Sequence, residues 1–190
     1  MKRGYRASSP LYGARPHRRR LFDIQPEIVA YDLHPKYLST KWALEQEGVH
    51  LMGIQHHHAH VASCLVDNGE EGPAIGVAFD DLGYGTDGTM WGGEFLVAGL
   101  TCFERVGHLC RLAMPGGATV VREPWRMAVV YLEAVFGRDV PPLAIIHLHQ
   151  ERWGAVLQMA PSGLHSPLTS SVGRLFDVVT ALLGVRDQVS

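Results

Sequence analysis

The chain has 190 residues, 46% of them hydrophobic, and a formal net charge of −2. That length suits one domain with a sizeable core, or one domain and part of a second, and the near-neutral charge gives no reason to expect nucleic acid or a membrane surface as a partner. Three cysteines without a C-x-x-C pair argue against a cysteine zinc site or a disulfide framework and suit a reducing cytoplasm, and no run of about 18 apolar residues is present to cross a bilayer.

Residues 1–20 hold seven Lys or Arg and no acid, among Pro, Gly and Ser, and are expected to be a basic, disordered tail. Residues 21–190 carry the organised chain. Glu27–Tyr31 reads as a buried strand, and Pro35 is placed to open a helix over Lys36–Gln46 that Gly48 stops. Val49–Ile54 is a second strand. Gln55-His56-His57-His58-Ala59-His60 then opens a helix that ends at Asn68-Gly69. Ala74–Phe79 is a third strand, followed by a tight turn over Asp80–Gly88 with three glycines and three aspartates. Thr89–Ala98 and Phe103–Leu112 return as strands of a meander. Arg122–Phe136 and residues 143–160 read as helices. Thr169-Ser170-Ser171 cap a last, strongly amphipathic helix carrying Val172, Leu175, Phe176, Val179, Leu182 and Leu183. This order predicts a mixed α/β sheet, with an actin-like, RNase-H-like half as its natural candidate.

Four imidazoles in five positions need a reason. His56 and His60 are four apart, so on a helix they share one face one turn apart, the helical half of a site for Zn²⁺ or Fe²⁺. Two ligands do not complete such a site, and a carboxylate is the usual third. The bland alternative is helix capping and local hydrogen bonding. His57 and His58 point to other faces and could support ligands or meet substrate. In the Gly/Asp turn, Asp80, Gly83, Gly85 and Asp87 could cradle a nucleotide or phosphate, as could Gly116 and Gly117 in the loop after Pro115; an ordinary tight turn is the competing reading. Asp81 places a negative charge where an anion would sit, unfavourable unless a cation intervenes. Arg122 and Arg126 near one helix start, and Ser170 and Arg174 near another, are candidate substrate or anion contacts, against salt bridging and simple capping.

Six stretches occur in one order: D-L-H-P-x-Y-L-S-T (32–40), Q-H-H-H-A-H (55–60), G-Y-G-T-D-G-T-x-W-G-G-E-F (83–95), P-G-G (115–117), R-E-P-W-R-M-A (122–128) and S-S-x-G-R-L-F-D-x-V-x-A-L-L-G (170–184). Together they resemble the C-terminal carbamoyl-transfer region of HypF, the carbamoyltransferase of nickel–iron hydrogenase maturation, itself similar to the tRNA threonylcarbamoyl-transfer family. The resemblance covers about residues 21–190 and implies an actin-like ATPase fold, mainly its N-terminal half. It implies a transferase that uses carbamoyl phosphate and ATP, through carbamoyl-adenylate, to carbamoylate the C-terminal cysteine of a partner, HypE, for cyanide-ligand synthesis. It maps His56 and His60 onto a family metal pair and turns the Gly/Asp hairpin towards nucleotide phosphates. Three departures accompany it. Asp81 stands where the family usually has Gly, and Ala118 where it commonly has Asp. The upstream regions and the second half, which normally supplies the carboxylate ligand, are expected to be missing, so the isolated chain is expected to be inactive or weakly active, or a separately encoded remainder to complete it. The alternative is a non-catalytic remnant with weak metal or partner binding.

Overall fold

The computed structural model describes residues 25–188, so the expected basic tail over residues 1–20 lies outside the described residues. The described chain falls into two compact units. The first comprises residues 25–31 and 35–53. Strands β1 (Ile28–Asp32) and β2 (His50–Ile54) make a two-stranded sheet, and helix α1 (Leu38–Leu44) stands between them in sequence with Thr40 and Ala43 buried. The helix is shorter than the spacing predicts, and Tyr37 rather than Pro35 is its N-cap, with extended backbone.

The second unit takes Asp32–His34 and everything from Ile54 onward. Helix α2 (His56–Asp67) starts where the histidine run places it. Strands β3 (Ala74–Tyr84), β4 (Met90–Ala98), β5 (Phe103–His108), β6 (Leu112–Ala113) and β7 (Leu168–Thr169) form a five-stranded sheet. Its order is β3-β4-β7-β6, with β5 also paired to β4. The single mixed sheet expected from the sequence is thus two separate sheets. β4 and β7 run parallel through Met90 and Thr169, while β3, β4 and β5 form the antiparallel meander.

The main local departure is at residues 80–84. Gly/Asp composition predicts a turn from Asp80, yet β3 continues to Tyr84. Pairing runs from Ala74 opposite Ala98 to Phe79 opposite Gly93, slips, and resumes with Gly83 opposite Trp91. Three residues of β3 therefore stand against one of β4. Such a bulge bends the strand and re-aims its side chains, and here it takes Asp80 and Asp81 out of the regular ladder. Earlier in β3, Gly76 lies so close to α2 that a Cβ there would meet Val61 at 2.5 Å; only hydrogen at this position lets the helix sit on the sheet.

The predicted helix over 122–136 divides into α3 (Thr119–Arg122) and α4 (Trp125–Phe136), because Pro124 lacks the N–H that would continue the first. The helical region after Pro142 is α5 (Ala144–Leu148) and α6 (Gln150–Ser162), broken at His149. Helix α7 (Val172–Leu182) is capped by Ser171, whose hydroxyl accepts the Arg174 N–H at 3.1 Å. One core gathers Val120, Trp125, Met127, Val129, Val156 and Val178 from these helices. A second gathers Trp91, Leu96 and Ala98 with Val61 and Phe103 beneath α2. Among the described residues no helix is long and apolar enough to cross a membrane.

Candidate metal centre

The four histidines divide according to how α2 begins. Gln55 is its N-cap, and its Oε1 accepts the His58 N–H at 2.8 Å. That fixes the amide: Nε2 donates to Tyr84 O at 3.3 Å and to His57 Nδ1 at 3.2 Å. His57 therefore accepts at Nδ1 and carries its proton on Nε2. The ring is fully buried, and burial, reinforced by repulsion from His56, lowers its pKa to about 4. It is a neutral side chain, with Nε2 lacking a hydrogen-bond partner and lying 4.0 Å from Asp80 Oδ2. His58 is also buried; its Nε2 lies 2.9 Å from Gly99 O and its ring packs near Phe103.

His56 and His60 share the remaining face, as the four-residue spacing predicts. Their Nε2 atoms are 3.2 Å apart. Asp80 Oδ2 lies 3.0 Å from the first and 3.5 Å from the second. A tetrahedral ion with ligand bonds of about 2.0–2.1 Å sets its ligand atoms about 3.3–3.4 Å apart. The three edges of this triangle match one face of such a tetrahedron. The donor chemistry, two imidazoles and a carboxylate, suits Zn²⁺ or Fe²⁺, so the residues present fit a divalent metal. Burial works to raise the Asp80 carboxyl, but the Asp81 N–H at 2.7 Å and the His56 contact outweigh it and hold it below the ordinary carboxylate value. His60 is 61% exposed, which leaves the cluster reachable from solvent.

Asp80, a candidate phosphate contact by sequence, is brought by the bulge to the histidine pair; the family resemblance implies a carboxylate ligand from the second half. Asp32, the last residue of β1 and the first of the D-L-H-P stretch, has no role by sequence. Its Oδ2 lies 2.7 Å from His56 Nδ1.

The other candidates are engaged within the protein. Gly83 and Gly85 are close-packing positions: a Cβ on Gly83 would meet His57 Cε1 at 2.5 Å, and one on Gly85 would strike the Trp91 indole. Asp87 accepts from Thr89 N, Thr89 Oγ1 and Trp91 Nε1, and its Oδ2 accepts from Arg105 at 2.9 Å and Arg111 at 3.2 Å. The N–H groups of Gly116 and Gly117, both at positive φ, donate to His165 O and Met114 O. Ser170 Oγ donates to the buried Glu94. Arg126 pairs with Glu123, as does Arg152, while Arg122 is exposed. Arg174, 4% exposed, donates to Asp81 Oδ1 at 2.5 Å and lies 3.1 Å from Asp177. The cation needed beside Asp81 is thus Arg174, and the expected anion contact is met by a carboxylate of the same chain.

Two family models match. The one described as "HypF Kae1-like domain" covers residues 8–67, and the one described as "Carbamoyltransferase, Kae1-like Domain, second subdomain" covers residues 76–190. Among curated proteins, the chain is 44% identical to carbamoyltransferase HypF2 of Cupriavidus necator, covering 92% of the chain and 22% of that protein. It is 41% identical to carbamoyltransferase HypF of Rhizobium leguminosarum bv. viciae, covering 87% and 22%. Of solved structures, a full-length HypF in a phosphate- and nucleotide-bound form aligns with TM-score 0.85 and 34% identity, over 94% of this chain and 23% of that one. HypF of T. kodakarensis aligns with TM-score 0.80 and 32% identity, over 95% and 25%. The chain spans about a fifth of the length of these two curated relatives.

Proposed function

The chain belongs to the HypF carbamoyltransferase family, and from that premise we propose that it carries the metal-binding part of a carbamoyl-transfer site. The observation that supports this most directly is the triangle of His56, His60 and Asp80, with edges matching a tetrahedral metal face. These three residues would hold the ion. When bound, a divalent metal supplies Lewis-acid polarisation of a carbonyl or phosphoryl oxygen and neutralises developing negative charge.

The chain's own groups do the rest. Helix α2 fixes the spacing of the two imidazoles, and the β3 bulge sets the Asp80 carboxylate against them. The neutral His57, whose Nε2 lies 4.0 Å from Asp80 Oδ2, adds no competing positive charge beside the cluster. His60 presents the open side of the cluster to solvent, from which an anionic substrate would arrive. By resemblance, that substrate is carbamoyl phosphate with ATP, through carbamoyl-adenylate, and the acceptor is the C-terminal cysteine thiol of HypE, in a cytoplasmic actin-like ATPase. The phosphate- and nucleotide-bound state of the solved HypF supports such ligands for that protein. Because most of the length of the relatives lies outside this chain, the remainder of a HypF would be needed for turnover.

Two measurements test the reading. The chain should bind Zn²⁺ or Fe²⁺ in calorimetry at one site per chain, and a His56→Ala/His60→Ala variant should lose it. Equal binding by that variant removes the metal site. Given HypE, ATP and carbamoyl phosphate, the chain alone should show little or no thiocarbamoylation; transfer at the rate of a whole HypF would show that nothing further is required.

A further inference from the structure

We propose that Asp32 is a positioning residue of this centre: its carboxylate holds the proton of His56 on Nδ1 and so leaves Nε2 as the bare nitrogen that faces Asp80 and His60. The inference deepens the metal reading and rests on it.

A neutral imidazole has one N–H and one lone-pair nitrogen, and only the lone-pair nitrogen can ligate. His56 is held on both sides. Its Nδ1 is 2.7 Å from Asp32 Oδ2, and its Nε2 faces His60 Nε2 at 3.2 Å and Asp80 Oδ2 at 3.0 Å. An ionised carboxylate only accepts, so Asp32 at 2.7 Å and Asp80 at 3.0 Å compete for the one proton of the neutral ring from opposite sides, and the shorter Asp32 contact draws it to Nδ1. The carboxylate is itself fixed, because its other oxygen, Oδ1, accepts the His34 backbone N–H at 2.7 Å. The end of β1 thus clamps Asp32 in one rotation, and Asp32 clamps a ring 24 residues further along the chain. Metal-bound histidines commonly donate their second N–H to a carboxylate in this way, and removing that partner costs about 10–100-fold in metal affinity.

A purely structural role, holding the turn at His34, predicts a different outcome from this one. In Asp32→Asn the side-chain oxygen can still accept the His34 N–H, so the turn survives. The amide NH₂ then faces His56 Nδ1 and donates to it. That forces Nδ1 to become the acceptor and moves the ring proton to Nε2, the wrong tautomer for a ligand. Asp32→Ala removes the partner without imposing either tautomer.

The test uses the full chain labelled with ¹⁵N-histidine. Long-range ¹H–¹⁵N spectra of the neutral, metal-free ring read the His56 tautomer, and Zn²⁺ titration against a chromophoric chelator reads affinity. The expected result is Nδ1–H in the wild type, Nε2–H in Asp32→Asn, and about 10–100-fold weaker Zn²⁺ binding by that variant, with a smaller loss in Asp32→Ala. Wild-type tautomer and wild-type affinity in Asp32→Asn overturn the proposal. A tautomer switch in a protein whose wild type binds no Zn²⁺ overturns the metal reading while supporting control of the His56 proton by Asp32. If Asp32→Ala does not fold, Asp32→Asn, which keeps the turn acceptor, carries the test.

Discussion

Two carboxylates of the same hairpin are completed in opposite ways. Glu94 on β4 is fully buried, and protein donors close it: Gly92 N at 3.2 Å, Gly93 N at 3.3 Å, Ser170 Oγ, and Arg105 Nε at 2.5 Å. Arg105 in turn lies 4.1 Å over the Trp91 ring and reaches Asp87. Each acceptor there meets a donor. Asp80 on β3 lies among imidazoles, with His56, His60 and His57 Nε2 atoms at 3.0, 3.5 and 4.0 Å from one oxygen. The His56 and His60 Nε2 atoms face each other at 3.2 Å as well as the carboxylate, a spacing that calls for a proton or a cation between the two nitrogens. The first cluster is scaffold, because the protein's own donors close both of its carboxylates. In the proposed reading the second is a site, because two ring nitrogens and a carboxylate oxygen converge where positive charge is needed.

The comparison breaks most severely if Glu94 is removed without consequence. Glu94→Ala leaves Arg105 as a largely buried charge without its closest partner and strands two backbone N–H groups. The expected loss is about 3–5 kcal/mol of unfolding free energy, read by urea denaturation. A loss under about 1 kcal/mol would place Glu94 outside the scaffold. Asp80→Ala should behave in reverse. Zn²⁺ affinity should fall by about a hundredfold or more, since even outer partners of metal ligands are worth about 10–100-fold, while stability changes by less than about 1 kcal/mol. If Asp80→Ala instead matches Glu94→Ala in stability and keeps its metal, the two clusters are alike and the distinction fails.

Much of this contrast cannot be read along the chain. Helix α2 and its ligand spacing are legible, because a periodicity of 3.6 places His56 and His60 together without further information. Helix α7 is legible for the same reason. The role of Asp80 is not, because Gly and Asp read as a turn and only the ladder slip between Phe79 and Gly83 reveals a bulge. Asp32 and Glu94 are reached across the fold, through His56 and through Ser170, which is 76 residues from Glu94 in sequence. β7 has two residues and no periodicity to detect. Gly83 and Gly85 read along the chain as places where backbone N–H groups could approach a phosphate; that His57 and Trp91 pack against them follows only from the fold.

Those glycines sharpen the comparison at the next level. Gly83 borders the imidazoles and Gly85 borders Trp91, so the same added methyl group should have two signatures. Both Gly→Ala changes overpack and should cost about 1–3 kcal/mol, measured by thermal or urea unfolding. Only Gly83→Ala, whose Cβ would also meet His56 Cβ at 2.9 Å, should weaken Zn²⁺ binding by the folded protein. Metal loss in Gly85→Ala with none in Gly83→Ala would reverse the assignment of the two sides.

The smallest expected effect concerns acid. Burial alone would raise the Asp87 carboxyl, but the Thr89 hydroxyl and N–H, the Trp91 N–H and the Arg105 charge outweigh it and bring the pKa from 3.8 to about 2. The folded protein therefore holds the ionised form more tightly than the unfolded chain does. Above pH 4 both states are ionised and the full stabilisation is present; as pH falls towards 2 the unfolded chain takes up the proton first and the stabilisation is lost. With about a third of the side chain exposed, solvent screening leaves roughly 1 kcal/mol. Urea midpoints of wild type and Asp87→Asn between pH 5 and pH 3 isolate this contribution from that of the other carboxylates. The wild type should lose stability faster over that interval, so that the two curves draw together towards pH 3 and would meet only near pH 2. Parallel curves would mean that Asp87 is not closed by its donors, and that the scaffold cluster is less complete than its hydrogen bonds imply.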